Sequence, residues 1–211
     1  SKLQLEPGQA NQLDAADLSL PDSSTSVWFT DPPYYDSIPY AHLSDVFYVW
    51  AKRVLFDTND SFAKTELTPK EAECVVDRPH TLSTSKKDEA FYEAKIAAVA
   101  QEGRRILQDD GCASIVFAHK TTEGWEALLT GIISAKWTVT ASWPIATELE
   151  SRLNARDTAS LATSVHLVCR PRMDNASSGD WAFVYRSLPQ RITGWMDRLE
   201  SEGIRGADLV F

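Results

Sequence analysis

Asp31, Pro32, Pro33 and Tyr34 follow directly on a short apolar run, Val27-Trp28-Phe29-Thr30, and Tyr35 and Asp36 come next. Proline at 32 biases Asp31 towards an extended backbone, and the two prolines together remove two donors and fix two φ angles. The result is a stiff corner that displays a carboxylate, bare carbonyls and an aromatic ring. These groups suit a particular chemical task. The exocyclic amine of adenine or cytosine is a poor nucleophile because its lone pair is delocalised into the ring. A carboxylate and a carbonyl that accept its two N–H bonds draw the nitrogen towards sp3 and free that lone pair. Acceptors fixed in advance also stabilise the positive charge that develops on the nitrogen during methyl transfer. An aromatic face alongside would hold an extruded base, worth about 1–3 kcal/mol of stacking. Asp31, the Pro32 carbonyl and Tyr34 supply these three parts, and Pro33, Tyr35 and Asp36 would line and support the pocket.

The elements around the corner can be read from periodicity. Val27–Thr30 predicts a short, fully buried strand whose end carries the corner, the position at which open α/β sheets bind ligands. Residues 41–56 predict a helix with Leu43, Val46, Phe47, Trp50 and Val54 on one apolar, core-facing side and Asp45 and Tyr48 elsewhere. Residues 57–87 are polar and hold Pro69 and Pro79, which predicts a long mobile connection. The clearest helix spans 88–108, with Ile96, Val99, Gly103, Ile106 and Leu107 as its stripe. Asp88 and Glu89 favour its start, Arg104 and Arg105 its end, and Asp109-Asp110-Gly111 is its expected stop. A buried strand at 112–118, a helix at 123–135 and a strand at 137–143 then predict right-handed parallel crossovers. A charged connection at 145–160 leads to a strand at 164–170. Trp181–Tyr185 predicts one more short strand, and Ile192–Ser201 a helix.

Asp31-Pro32-Pro33-Tyr34 resembles the Asp-Pro-Pro-Tyr motif of S-adenosylmethionine-dependent amino-methyltransferases, which act on adenine N6 or cytosine N4. The longer run through Asp36, then Pro39-Tyr40-Ala41, Leu43-Ser44-Asp45 and Phe47-Tyr48-Val49-Trp50, is similar to a narrower group. That group is the bacterial and archaeal adenine-specific DNA methylases, some of which carry a zinc ribbon. The likeness continues through Phe117-Ala118-His119-Lys120, Ala141-Ser142-Trp143-Pro144 and Val168-Cys169-Arg170, so it covers most of the chain.

The resemblance implies an α/β fold: a three-layer, Rossmann-like methyltransferase sheet with its last two strands antiparallel. It implies DNA as the partner and S-adenosylmethionine as the cofactor, with Asp31 close to both the amine and the cofactor. In the resembled fold a polar residue ahead of this strand often reads the cofactor's adenine, which makes Asn11, Asp14 and Asp17 candidates. His119, just past a strand end, could reach the substrate, and Arg152 and Arg156 could touch phosphate. The same corner chemistry also serves RNA or protein-glutamine N-methylation, and a methyltransferase-like module can bind without catalysis.

Other features bear on these expectations. Methyltransferases of this type hold the methionine end of the cofactor on a Gly-x-Gly turn, and none of the nine glycines here forms one. The expectation is therefore an incomplete sheet, with a partial methyltransferase domain at 1–170, a truncated extension at 171–211, and a chain inactive by itself. The net charge of −9, from 21 basic and 30 acidic side chains, opposes non-specific nucleic-acid binding, so basic contacts must be local or lie elsewhere in the protein. Three cysteines, Cys74, Cys112 and Cys169, stand far apart without a Cys-x-x-Cys pair, so neither a disulfide framework nor a metal site is legible. No membrane-length apolar run or signal peptide is visible, and the default placement is cytoplasmic. In the resembled fold the strand leading to Asp31 lies beside the strand that carries the cofactor turn. Without that neighbour, Val27–Thr30 would present an unpaired edge that self-associates or is covered by the N-terminal segment.

Overall fold

The computed structural model describes residues 7–55, 65–76, 87–146 and 163–204. Its elements are β1 (Thr25–Thr30), α1 (Tyr40–Leu55), α2 (Glu89–Ile106), β2 (Leu107–Phe117), α3 (Thr122–Ser134), β3 (Trp137–Ala146), β4 (Thr163–Pro171) and α4 (Trp181–Ser201). The fold is α/β, built on an open mixed sheet in the order β1-β2-β4-β3. β1 and β2 are parallel, with Val27 opposite Cys112 and Thr30 opposite Ile115. β4 runs antiparallel to both β2 and β3, so β2 and β3 are themselves parallel and α3 crosses over between them.

The helices obey local rules at their ends. Asp88 caps α2 by accepting the Phe91 N–H at 3.0 Å, and Arg104 and Arg105 occupy its last turn. The helix stops at Ile106, earlier than Asp109-Asp110-Gly111 suggests. Those residues lie inside β2, where Arg104 pairs with Asp109 and Arg170 donates to the carbonyls of Asp110 and Gly111. Strand pairing with β1 begins at Leu107 and outweighs the turn preference of that tripeptide.

The core lies between the sheet and the pair α2 and α3. Tyr92, Ile96, Ala100, Gly103 and Ile106 form the buried side of α2, and Ala127, Leu128 and Ile132 that of α3. Trp28 from β1 and Trp137 from β3 stack with centroids 5.4 Å apart, although two strands separate theirs. The register explains how they meet. Trp28 stands opposite Ala113 and Ala113 opposite Cys169, so two small, fully buried residues leave room for the indoles. Above them, Gly103 brings α2 so close that a Cβ there would overlap the Trp28 ring.

Several burial expectations are overturned. β1 is not fully buried: it is the sheet edge, with Val27 64% and Phe29 61% exposed on the face away from α2. Trp143 and Ile145 of β3 are exposed as well. Register carries Phe29 through Ser114 and Val168 to Ala141, so these residues share one face. The three-layer expectation does not hold among the described residues, because α1 and α4 bury none of theirs.

α1 inverts its expected orientation. Leu43, Val46, Phe47, Trp50 and Val54 are exposed, whereas the Asp45 side is engaged. Asp45 accepts from the Thr68 hydroxyl and N–H and pairs with Lys70 at 2.9 Å. These hydrogen bonds, Thr68 first, lower its carboxyl to about 2. Helical period fixes which residues share a side, but contacts from residues 65–76 decide which side is held. The expected strand at 181–185 is instead the first part of α4. Asp180 caps it by accepting the Ala182 N–H, and its aromatic and aliphatic residues recur at spacings of three and four around Pro189.

Candidate functional site

The Asp31 corner sits at the C-terminal end of β1, beside the end of β2, and is clamped from three elements. From α2, the buried Tyr92 hydroxyl donates to the Pro33 carbonyl at 2.8 Å. From the segment 65–76, the Val76 N–H donates to the Tyr35 carbonyl at 3.0 Å. From the end of β2, His119 meets Asp36 at 3.1 Å. Tyr35 itself is buried edge-on against Tyr92 and His119, with φ at +50°, a left-handed backbone that non-glycine residues seldom adopt. The clamp holds that strained residue in place.

Within the corner, the Tyr34 hydroxyl donates to one Asp31 oxygen at 2.7 Å, while its ring packs edge-on against Phe117. Asp31 is exposed, and nothing among the described residues donates to the Pro32 carbonyl. A carboxylate and a carbonyl thus stand one residue apart on a rigid backbone, the carboxylate exposed and the carbonyl on a buried residue. Tyr40, on the first turn of α1 and 55% exposed, is the open aromatic ring nearest to the corner in sequence.

His119 is buried, at 5% exposure, and the Thr121 N–H donates to its Nδ1 at 3.3 Å, with the Thr121 hydroxyl at 3.1 Å. Since a backbone N–H can only donate, Nδ1 is the acceptor and Nε2 carries the hydrogen towards Asp36. The Thr121 hydroxyl is thereby diverted from capping α3, which has no side-chain cap. Gly124 on the first turn of α3 leaves the space that the imidazole fills. The Trp125 indole N–H fixes the His119 carbonyl at 2.9 Å. His119 thus braces Asp36, a role its position in the sequence did not reveal.

The other candidates divide. Asp14 accepts its own turn's Ala16 N–H and faces Lys95 at 3.9 Å, and the Asp17 N–H closes the same turn. Asn11 is exposed ahead of them. This segment runs along α2, with the Leu18 N–H on Glu102. Arg152 and Arg156 lie outside the described residues. Sequence reasoning misses Tyr92: it stands four residues before Ile96 on the same stripe, so spacing marks it as core. Its target, the Pro33 carbonyl, is distant in sequence.

No family profile matches the chain, and no curated protein sequence matches it. Among solved structures it is similar to a candidate DNA modification methylase of Thermus thermophilus. The selenomethionine form is 13% identical with a TM-score of 0.41, covering 87% of this chain and 61% of that one. The complex with S-adenosyl-L-methionine is 14% identical with a TM-score of 0.40, covering 87% and 63%. The chain thus spans about three fifths of the length of those structures.

The buried tyrosines give the corner a pH signature. Burial is the first cause that raises the Tyr34, Tyr35 and Tyr92 hydroxyls, with Asp31 adding to it for Tyr34 and Glu89 for Tyr35. Tyr35 is pushed up to about 12. An unfolded tyrosine ionises near pH 10, so above that pH the unfolded chain releases protons that the folded one retains. These hydroxyls therefore cost no stability below about pH 10 and lower it from there through about pH 12. Urea midpoints across that range check this, and a flat profile would contradict the burial.

Proposed function

We propose that the corner receives the exocyclic amine of a flipped DNA base, adenine N6 foremost, for methylation with S-adenosylmethionine as donor. The observation that carries this reading is the pair of acceptors at the end of β1. Asp31 is oriented by the Tyr34 hydroxyl, and the Pro32 carbonyl beside it receives no donor from the described residues. One amine N–H would go to the second Asp31 oxygen and the other to Pro32. Tyr34, with Phe117 behind it, would carry one face of the base, and Tyr40 is placed to offer a second ring. Tyr35, Asp36, Pro33, Tyr92 and His119 keep the acceptors from relaxing, which is what preorganised stabilisation of developing positive charge requires. Asn11, Asp14 and Asp17 remain candidates for the cofactor, and Arg152 and Arg156 for phosphate.

The described residues do not fit the methionine end of the cofactor. Gly103, Gly111, Gly124 and Gly131 each have a side chain where a cradle would need open space, and Gly8, Gly179, Gly194 and Gly203, which face open space, do not stand on a turn directly after a strand. No step through the cofactor is therefore assigned to this chain. That same observation favours a second reading, an amine-binding module without catalysis. No described helix is long and apolar enough to cross a membrane.

The test is calorimetric. The chain should bind adenosine better than purine riboside, which lacks the amine. Asp31→Ala should remove about tenfold or more of that preference, the worth of a hydrogen bond to a charged group. S-adenosylmethionine should give no saturable heat with the chain alone. Equal affinity for the two nucleosides would reject the amine site, and saturable cofactor heat would reject the non-catalytic reading. Offering DNA, RNA and protein acceptors in parallel distinguishes the substrate classes.

A further inference from the structure

We infer that Glu73 is a positioning residue for the base site: it fixes the first turn of α1, and with it the Tyr40 ring, against the Asp31 corner. The inference rests on the amine-binding reading above and adds the group that sets the second stacking face. The segment 65–76 is the link. It grips Ala41, the neighbour of Tyr40, by both backbone groups. The Ala41 N–H donates to Glu73 Oε1 at 2.9 Å, and the Thr68 hydroxyl shares its hydrogen between Asp45 and the Ala41 carbonyl, 2.6 Å from each. Further along the same segment, the Val76 N–H donates to the Tyr35 carbonyl at 3.0 Å. One short stretch of backbone thus holds both the corner and the start of α1.

The contact calls for a carboxylate. The first N–H groups of a helix have no partner within it, and its N-terminus favours negative charge. α1 has no acidic residue in its own first turn, so Glu73 supplies acceptor and charge from outside the helix. Glu73 is in turn held from the residue that precedes the cap of α2. The Lys87 side chain, 1% exposed, donates to the Lys70 carbonyl at 2.7 Å, and its ammonium lies 3.8 Å from the second Glu73 oxygen. Contacts therefore run from α2 through Lys87 and Glu73 to Ala41 and Tyr40. A buried ion pair is often no more stabilising than apolar side chains of similar volume, and its strict geometry suits positioning better than stability. Tyr40 also adds, after burial and Asp31, to the causes that raise the Tyr34 hydroxyl, so the two tyrosines stand in one neighbourhood.

Titration calorimetry of the full chain with adenosine and with purine riboside tests the assignment. Asp31 serves the amine, which only adenosine carries, whereas Tyr40 serves the ring that both share. Glu73→Ala should therefore weaken both nucleosides by about fivefold or more, the lower end of what a stacking ring contributes, and leave their ratio unchanged. Glu73→Gln keeps an acceptor for the Ala41 N–H and should bind both much as wild type does, while losing stability because Lys87 loses its charge partner. Tyr40→Ala should cost as much as Glu73→Ala, and the double variant no more than either, because both act through one ring. Glu73→Leu with Lys87→Met removes both buried charges and serves as the same test if the alanine variant fails to fold. A folded Glu73→Ala chain that binds as wild type does, or losses that multiply in the double variant, would overturn the positioning role. Equal binding of the two nucleosides by wild type would instead reject the amine reading, with Glu73 still judged by the affinity both share.

Discussion

Replacing Trp137 by alanine should cost the fold about 3–5 kcal/mol. The indole is 2% exposed, stacks on Trp28, and donates its N–H to the Ala100 carbonyl at 2.9 Å. Truncation leaves a cavity between α2 and the sheet and removes the extra hydrogen bond that the Ala100 carbonyl accepts beyond its helical one, so two penalties add. Domains of this size are commonly stable by only about 5–15 kcal/mol, so the variant should stand close to unfolding. Trp137→Phe retains most of the ring but not the N–H, and should fall between wild type and alanine. The measurement is the urea midpoint at constant m-value. A loss below about 1 kcal/mol, in the range of ordinary surface substitutions, would mean that the two tryptophans do not meet as described.

If the corner methylates an amine as proposed, Asp31→Ala should lower that activity by about 10²–10³-fold, the usual cost of removing one preorganised group that stabilises transition-state charge. The loss should appear in the rate at saturating substrate, since the carboxylate matters most as charge develops on nitrogen. Stability should hardly change, because Asp31 is exposed and its partner among the described residues, Tyr34, also packs its ring on Phe117. Asp31→Asn, which keeps a carbonyl acceptor but no charge, should retain part of the activity. Incorporation from labelled cofactor into DNA reports the difference. Equal incorporation by wild type and Asp31→Ala would remove Asp31 from the mechanism.

The sequence by itself determined what depends on neighbours in the chain. Proline stereochemistry made the corner at 31–36 legible, and Asp88 with the apolar spacing that follows it marked α2. Strand, helix and strand follow one another from 107 to 146 as their periodicity requires. Tertiary structure decided everything that depends on a distant partner. The α1 stripe repeats at helical spacing, yet it faces solvent because Thr68 and Lys70 hold the Asp45 side. Val27 and Phe29 have the composition of a buried strand, yet they are exposed on a strand that, among the described residues, pairs with β2 alone. His119 was legible as a polar residue beyond a strand, but only the contacts with Asp36 and Thr121 make it a brace. Local pattern sets which side chains share a face, because that is fixed by backbone geometry within a few residues. Which face finds a partner is settled by contacts between residues far apart in the chain, and no local spacing encodes them.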